Sequence, residues 1–543
     1  MGITGFQKWI RTTFPEAVDD VPKSAADRFD YVCIDMNHVI HSVANRSPDH
    51  RRLAILLFAE LDRLLKTCWP LKAVILAMDG PAPLAKVATA RKRREQYVSR
   101  KQYNSASGHD YYLEFTPGTE IMHQLSNAIE YFICQRLLNR SKFGKIDFIF
   151  SGSNVHGEGE IKILDYLNLC VVPKDENSSV VIIGGDSDII LQALCTPQIY
   201  NFFVFVRGGG TSSCVSVRLL GSLIDELLGD NQRLDFVLLC LLSGNDYLPK
   251  LRGYNMSKAI KRYSRIRMRT KKSVIGGPPL GINWETFCHV IDKHNHMAKM
   301  AKASRLSSSV NAFPSGSPHE EDGEDIDGFD DDELEDEAVS TGNYDVEMYL
   351  KGLLWNMQMY IDGYPPDQLF YYRFKYAPPV DAVLEYFLEK GTSTQVNLPV
   401  SNRPAITSQL ALTLMLPSAA WSLAPQLLQP LVKSGASISD FVEVKSRVRQ
   451  IPFSKYEYKE RMRLRAGVAW RYRNGSKPGT FKRPTRPMND KRFKGLPLGL
   501  TQRTPFQVTN SPPLRTWSGV SYSLNGSDTS EEKTVKNAFS KYR

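Results

Sequence analysis

The 543-residue sequence lacks two features that would point to other classes of protein. Its eight cysteines include no CxxC pair, and those inside apolar runs, such as Cys33 and Cys240, are typical of buried small hydrophobic residues. A zinc site or disulfide framework is therefore not predicted, and we expect a reducing, intracellular compartment. No apolar run approaches the roughly 20 residues of a membrane-spanning helix, so the sequence predicts no membrane partner.

The formal net charge of +11 conceals a larger imbalance between two parts of the chain. Residues 320–337, EEDGEDIDGFDDDELEDE, hold 13 acids and no base, so leaving them out raises the charge of the remainder from +11 to +24. A positive field of this size attracts polyanions. Nucleic acid is the first partner that this composition suggests.

Short apolar runs alternate with longer amphipathic segments through the first half of the chain. Strands are predicted at Tyr31–Asp35, Ala73–Met78, Ile146–Phe150, Val180–Ile183 and Phe202–Val206, and helices at about 51–67, 84–103, 119–139, 160–169 and 188–195. This alternation predicts an α/β fold with a mostly parallel central sheet and helices on both faces. Ligands on such sheets bind beyond the carboxyl ends of the strands, at a topological switch point.

Seven acids lie in five short segments, nearly all at the ends of apolar runs: Asp35, Asp79, Glu158, Glu160, Asp186, Asp188 and Asp246. A lone Asp after a strand usually caps a helix or forms a turn. Two segments, HGEGEIK and GGDSD, instead place two carboxylates close together, which is unfavourable without a counter-ion. Helix capping therefore does not explain the whole set.

Carboxylates without His or Cys are the ligands that hard divalent cations such as Mg²⁺ prefer. Two such ions about 4 Å apart can clamp the attacking and leaving oxygens of a phosphodiester. The seven acids are accordingly predicted as both the metal ligands and the catalytic residues of a nuclease. Two Mg²⁺ ions are the expected cofactors, with Mn²⁺ as a substitute.

Six motifs occur in the order typical of one enzyme family. They include IDMNHVIH, AMDGPAPLAKVATARKRR, FTPGTEIM, SGSNVHGEGEIKILDY, GGDSDIILQAL and DFVLLCLLSGNDYLPKL. With the opening MGITGFQKWIRTTFP and the later YLKGLLWNMQMY, the chain resembles the Xrn family of 5′→3′ exoribonucleases. The resemblance implies a PIN/flap-endonuclease-like core. It also implies hydrolysis of 5′-monophosphorylated single-stranded RNA to mononucleotides, with the segment from Gly2 to Pro15 excluding duplex.

A basic helix, LAKVATARKRREQYVSRK from Leu84 to Lys101, follows the second acidic motif. Lys86, Arg93 and Arg94 lie at i, i+7 and i+8, on one helix face, and the resemblance implies that they bind the RNA 5′-phosphate. A solvated charged face is the alternative for such a run.

The resemblance also assigns base stacking to His41, with Trp355 as the candidate partner, and Asn37 is expected to orient the site. Two positions depart from the family pattern: His38 replaces a glycine and Ala90 replaces a glutamine.

The chain is divided by composition into four parts: 1–265, a nuclease domain; 266–341, a connector with a disordered acidic linker; 342–453, a helical second conserved block; and 454–543, a basic Pro/Gly-rich tail. We expect a cytoplasmic enzyme. The nucleus is the alternative, because the basic tail fits either a nuclear signal or a nucleic-acid contact.

Two other functions stay open at this stage. A structure-specific 5′ flap endonuclease or exonuclease acting on DNA would share the metal core, and contacts to the 2′-OH that separate RNA from DNA cannot be read from one sequence. A non-catalytic RNA-binding scaffold is the second alternative, although a scaffold has no need of seven retained acids.

Overall fold

The structure, a computed structural model, describes residues 3, 5–20, 27–101, 110–138, 143–173, 177–208, 211–277, 280–292, 343–435 and 520–522. The acidic segment 320–337 and nearly all of the predicted tail lie outside these ranges, so the predictions about them stay predictions. Within these ranges, no helix combines the length and apolar character needed to cross a membrane.

Eight of the described strands, numbered in chain order, form one large mixed sheet with the order β1-β7-β6-β5-β2-β3-β4-β10. Their bounds are β1 Val18–Asp20, β2 Asp27–Asp35, β3 Cys68–Ala77, β4 Asp147–Ser151, β5 Ser179–Gly184, β6 Asn201–Gly208, β7 Thr211–Ser216 and β10 Val520–Tyr522. A separate small hairpin joins β8 Ile275–Gly277 to β9 Gly281–Ile282. The five predicted strands correspond to β2 through β6, which are mutually parallel.

The topological switch point lies at the carboxyl ends of β2 and β5. The chain runs from β2 to β3 and β4 on one side, then returns to β5 on the other side of β2. Asp35 ends β2, and Asp186 follows β5 by two residues. The predicted fold class is confirmed, because parallel central strands with this crossover form a doubly wound α/β sheet.

The antiparallel edges of the sheet were not predicted. β7 forms a hairpin with β6, β1 pairs with β7, and β10 pairs with β4. The polar sequence of β7, TSSCVS, has no apolar run that would have identified it as a strand.

Helices cover both faces of the sheet, as predicted. Cys33 of β2 lies in one apolar cluster, whereas its neighbours Val32 and Ile34 lie in another. This alternation is that of a strand buried on both sides. The helices up to residue 241 are α1 Phe6–Thr13, α2 Met36–Ala44, α3 His50–Thr67, α4 Leu84–Lys101, α5 Tyr111–Glu114, α6 Glu120–Leu138, α7 Gly159–Tyr166, α8 Asp188–Leu194, α9 Val217–Leu228 and α10 Arg233–Leu241.

The predicted boundary at residue 265 is wrong, because it falls inside a continuous helix. The later helices are α11 Met256–Thr270, α12 Trp284–Ile291, α13 Val346–Asp362, α14 Val380–Lys390, α15 Ser408–Met415 and α16 Gln429–Lys433. Residues of α11, α12, α13 and α14 share one apolar cluster with the sheet. The described part of the second block, 343–435, is helix-rich as predicted, and it packs directly on the nuclease core.

Candidate active site

The seven predicted acids meet at the carboxyl ends of the central strands. Like-charge interactions join Asp35 to Asp79 and Asp186, Glu160 to Asp35, Asp186 and Glu158, Glu158 to Asp79, and Asp188 to Asp186 and Asp246. The structure therefore brings together residues that are separated by as much as 211 positions in the sequence, from Asp35 to Asp246.

Local geometry explains how two of these segments approach each other. The helix α7 begins at Gly159, whose backbone N–H donates to the Asp79 carboxylate at 2.8 Å. A Cβ at position 159 would lie 2.8 Å from the Asp35 carboxylate oxygen and from the carbonyl oxygen of Ala77. Glycine between Glu158 and Glu160 is therefore required for α7 to approach β2 this closely.

Burial raises the pKa of four of these carboxyl groups. The pKa of Glu158 rises to about 7 and that of Asp188 to about 6, because burial disfavours their charged forms and neighbouring acids add to the effect. Burial and neighbouring carboxylates also raise the pKa of Asp35 and of Glu160 well above the ordinary range. The site thus holds more negative charge than its own cations neutralise.

This donor set fits a hard divalent cation by its chemistry, because it consists of oxygen ligands with excess negative charge. Among the described residues, no three Asp, Glu, His or Cys side chains surround one point at metal-ligand geometry. The acids are gathered in one cluster, and binding of a cation would require shifts of their side chains.

Two cations of the basic helix α4 are paired with the acids. The Lys86 ammonium lies between Glu158 and Asp246, 2.7 Å from the latter, and Arg93 donates to Asp246. Burial opposes the charge on Lys86, but the two carboxylates outweigh it and raise its pKa well above the ordinary value. Burial also acts on Asp246, yet Lys86 and Arg93 lower its pKa well below the usual range.

Arg94 is anchored by two neutral acceptors, and the Asp79 carboxylate acts on its charge. Its Nε donates to the Thr116 hydroxyl at 3.0 Å and its Nη1 to the Ala90 carbonyl at 3.2 Å. Thr116 belongs to the FTPGTE motif, so this segment holds the basic helix in place. Ala90 packs partly against an apolar cluster that includes Leu84 and Val87 of its own helix.

Asn37 and His41 occupy the first turns of α2. The Asn37 side-chain oxygen accepts from the backbone N–H of Asp79 at 3.0 Å, and its own backbone N–H donates to Asp35 at 3.0 Å. Asn37 therefore connects the first two acids, Asp79 through its side chain and Asp35 through its backbone. His41 is exposed and packs edge-on against Phe115, with ring centroids 5.1 Å apart, which leaves it accessible to a ligand.

The structure contradicts the assignment of Trp355 as a stacking partner. The indole is 1% exposed, donates its N–H to the Asp367 carbonyl at 2.8 Å, and packs against Tyr247 and Phe370. Trp355 lies on α13 at helical spacing from apolar residues of the same helix, and this face of α13 is buried in the core. No ring face is therefore available to a nucleobase.

Two residues of the site were missed in the sequence. The Tyr247 hydroxyl donates to Glu158 from a position directly after Asp246. Lys162 is buried and donates to the carbonyls of Met78 at 2.7 Å and Gly152 at 2.9 Å, and burial lowers its pKa to about 7. The sequence features that could have identified these two residues are the NDY triplet, for Tyr247, and the position of Lys162 four residues after Glu158.

His38, which stands where the family pattern has a glycine, packs against Gly185. A Cβ at position 185 would lie 2.1 Å from His38 Nδ1 and 2.7 Å from its Cε1. The imidazole thus occupies the space beside the residue that precedes Asp186. Only glycine at 185 accommodates it in this position.

Residues 1–205 match the family described as "XRN 5'-3' exonuclease N-terminus". The chain is 28% identical over 305 residues to 5'-3' exoribonuclease 1 of Schizosaccharomyces pombe, which covers 48% of this chain and 23% of that protein. It is 28% identical over 249 residues to the 5'-3' exoribonuclease 2 homolog of Drosophila melanogaster, and this match covers 36% of this chain and 27% of that protein. The chain is 26% identical over 299 residues to human 5'-3' exoribonuclease 1, and this match covers 46% of this chain and 17% of that protein.

The chain therefore spans about a quarter or less of the length of these curated relatives. Among solved structures, the catalytic core of Rad2 in complex with DNA substrate aligns with a TM-score of 0.31 and 17% identity, covering 57% of this chain and 82% of that one. Human GEN1 in complex with Holliday junction DNA aligns with a TM-score of 0.33 and 12% identity, covering 78% and 81%.

Proposed function

From the similarity of residues 1–205 to the Xrn family and of the chain to its curated relatives, we propose that this protein is a Mg²⁺-dependent 5′→3′ exoribonuclease of that family. Its substrate is 5′-monophosphorylated single-stranded RNA, from which it releases mononucleotides. The observation that carries the proposal is the cluster of seven acids beside two cations of α4.

The acids would hold the metal ions, since they supply only oxygen ligands and excess negative charge. Bound divalent cations supply a water of lowered pKa and neutralise charge that develops on the phosphate. The chain's own residues orient this site: Asn37 ties Asp35 to Asp79, the α7 N-terminus holds Asp79, and Tyr247 holds Glu158.

The basic helix supports the proposed preference for a terminal phosphate. Lys86 and Arg93 each use some of their N–H donors on acids. The remaining N–H groups would donate to a phosphate beside the same acids. Arg94 adds a third cation on the same helix face. Three cations around one group suit a doubly charged 5′-monophosphate better than a bridging diester, so cleavage proceeds by one nucleotide from the 5′ end.

The remaining contacts favour single-stranded substrate without sequence preference. His41 is exposed for stacking on a base, which is worth about 1–3 kcal/mol and tolerates any base. The N-terminal segment lies against the site: Gln7 of α1 donates to the Gly185 carbonyl at 3.2 Å, and the backbone N–H of Ile3, which precedes α1, donates to Asp188 at 3.2 Å. A segment so placed supports the exclusion of duplex.

The test compares 5′-monophosphate, 5′-hydroxyl and capped RNA of one sequence, labelled at the 3′ end, with Mg²⁺ or EDTA. We expect progressive shortening of the 5′-monophosphorylated RNA alone, and only with Mg²⁺. Arg94→Gln should reduce the preference for the 5′-monophosphate by about tenfold or more, since a hydrogen bond to a charged group is worth about 1.5–3 kcal/mol. Lys92→Gln is the matched control, because Lys92 is exposed on the same helix.

The same assay separates the alternative functions. Release of internal fragments, or faster cleavage of branched DNA than of RNA, would replace the proposal with a flap endonuclease. Tight RNA binding without any cleavage in Mg²⁺ or Mn²⁺ would replace it with a scaffold.

A further inference from the structure

A chain of buried polar groups connects the second block to the acidic cluster. It starts at Asn356 and Tyr360, which lie one helical turn apart on α13 and are both 0% exposed. Polar side chains at such positions cost free energy unless they are hydrogen-bonded. Their partner is Asn245, the residue that immediately precedes the predicted metal ligand Asp246.

Asn245 organises the loop that carries Asp246. Its side-chain oxygen accepts from the backbone N–H groups of Tyr247 at 3.0 Å and Leu248 at 3.1 Å, and from the Asn356 amide at 3.1 Å. Its backbone N–H donates to the Leu248 carbonyl at 2.9 Å. These bonds close the turn on which Asp246 and Tyr247 are presented to Lys86, Arg93 and Glu158.

The direction of donation along this chain follows from the backbone contacts. Only the oxygen of the Asn245 amide can accept two backbone N–H groups, so its NH₂ group faces the other way. That NH₂ group donates to the Tyr360 hydroxyl at 3.2 Å. The hydroxyl therefore keeps its own hydrogen as a donor, and the Asp188 carboxylate, followed by that of Glu160, is the acid that acts most strongly on it.

We propose that Asn245 and Tyr360 are positioning residues, through which α13 of the second block sets the placement of Asp188 and Asp246. The second block is then a structural component of the metal site rather than a separate module. This inference rests on the proposed function. It identifies two residues that touch neither substrate nor metal but orient two of the acids that would bind the cation.

Tyr360→Phe tests the inference, and Tyr349→Phe is its matched control. Tyr349 lies on the same helix, is also 0% exposed, and donates to the Pro249 carbonyl at 3.1 Å instead of to the network. Each variant loses one buried hydroxyl, so both should lower the thermal midpoint in EDTA by similar amounts.

The variants should differ in their response to Mg²⁺. We expect Tyr360→Phe to raise the Mg²⁺ concentration for half-maximal cleavage by about 10- to 100-fold, the usual effect of removing a partner of a metal ligand. Tyr349→Phe should stay within about twofold of the unmodified protein. A second readout needs no cleavage: the Mg²⁺-induced rise in thermal midpoint without RNA should require correspondingly more Mg²⁺ in Tyr360→Phe only.

A double variant locates the effect. In an Asp188→Asn background, adding Tyr360→Phe should produce a smaller further change in the Mg²⁺ titration, because only Asp246 remains of the two acids that it orients. The inference is overturned if Tyr360→Phe and Tyr349→Phe respond alike, or if Mg²⁺ does not shift the midpoint of the unmodified protein. Failure of the unmodified protein to degrade RNA would refute the proposed function alone, since the midpoint titration would still test the network.

Discussion

Replacement of Asp246 by alanine should affect both stability and cleavage, whereas the same change at Asp186 should affect only cleavage. Asp246 is 3% exposed and neutralises Lys86 at 2.7 Å and Arg93. Removing one partner of a buried ion pair costs about 3–5 kcal/mol, because the other charge stays buried without compensation.

Asp246→Ala should lower the free energy of unfolding by about 3 kcal/mol, near the lower limit of this range. Lys86 keeps its contact with Glu158, and the repulsion between Asp246 and Asp188 is relieved. Asp186 is only half-buried and is repelled by Asp35 and Glu160. Asp186→Ala should therefore change the free energy of unfolding by less than about 1 kcal/mol.

Urea unfolding in EDTA at pH 7.5 measures the first effect, and cleavage of 5′-monophosphorylated RNA in Mg²⁺ measures the second. Both variants should be inactive and both should still bind RNA, because each lacks a predicted metal ligand and keeps the cations of α4. An unfolding free energy for Asp246→Ala equal to that of the unmodified protein would refute the ion-pair reasoning. Near-normal turnover in either variant would refute the assignment of these acids as metal ligands.

Three further predictions concern pH, the phosphate site and packing. Because burial raises the pKa of Glu158 from 4.5 to about 7 and that of Asp188 from 3.8 to about 6, the folded protein binds more protons than the unfolded chain in this range. Its free energy of unfolding in EDTA should therefore fall between pH 5 and 7.5, and Glu158→Gln should flatten that slope; a rise with pH would contradict the assignment. Ala90→Gln should tighten binding of 5′-monophosphorylated RNA by about ten- to a hundredfold through one added hydrogen bond to a charged group, without affecting 5′-hydroxyl RNA. Equal effects on both RNAs would mean that position 90 does not face the phosphate. Gly185→Ala should lower the free energy of unfolding by about 1–3 kcal/mol through its clash with His38, and adding His38→Gly should restore it; an additive loss in the double variant would show that the two positions are not in contact.

The central strands and the end of the sheet that carries the acids were predictable from sequence because both depend on local pattern. Apolar runs such as VVIIG form β5, and the acids that follow such runs necessarily emerge at the carboxyl edge of a parallel sheet. The basic helix was likewise predictable from its spacing, since Lys86 and Arg93 lie two turns apart on a single segment.

Other features depended on contacts between distant segments, which periodicity does not encode. Trp355 has the same helical spacing whether its ring faces solvent or core, and only the packing of α13 on Tyr247 and Phe370 decides between them. The boundary at 265 failed for the same reason, because α11 is basic on one face and buried on the other.

The sequence by itself determined which groups the site contains: seven acidic side chains, a basic helix and the strands that bring them to one edge. Only the tertiary structure decided how those groups are paired. Lys86 lies between Glu158 and Asp246, which follow it by 72 and 160 positions. Asn245, next to Asp246 in the sequence, binds Tyr360, which follows it by 115 positions. Burial determines which groups pair, because a buried charge or amide without a partner costs free energy. Burial is a property of the folded chain.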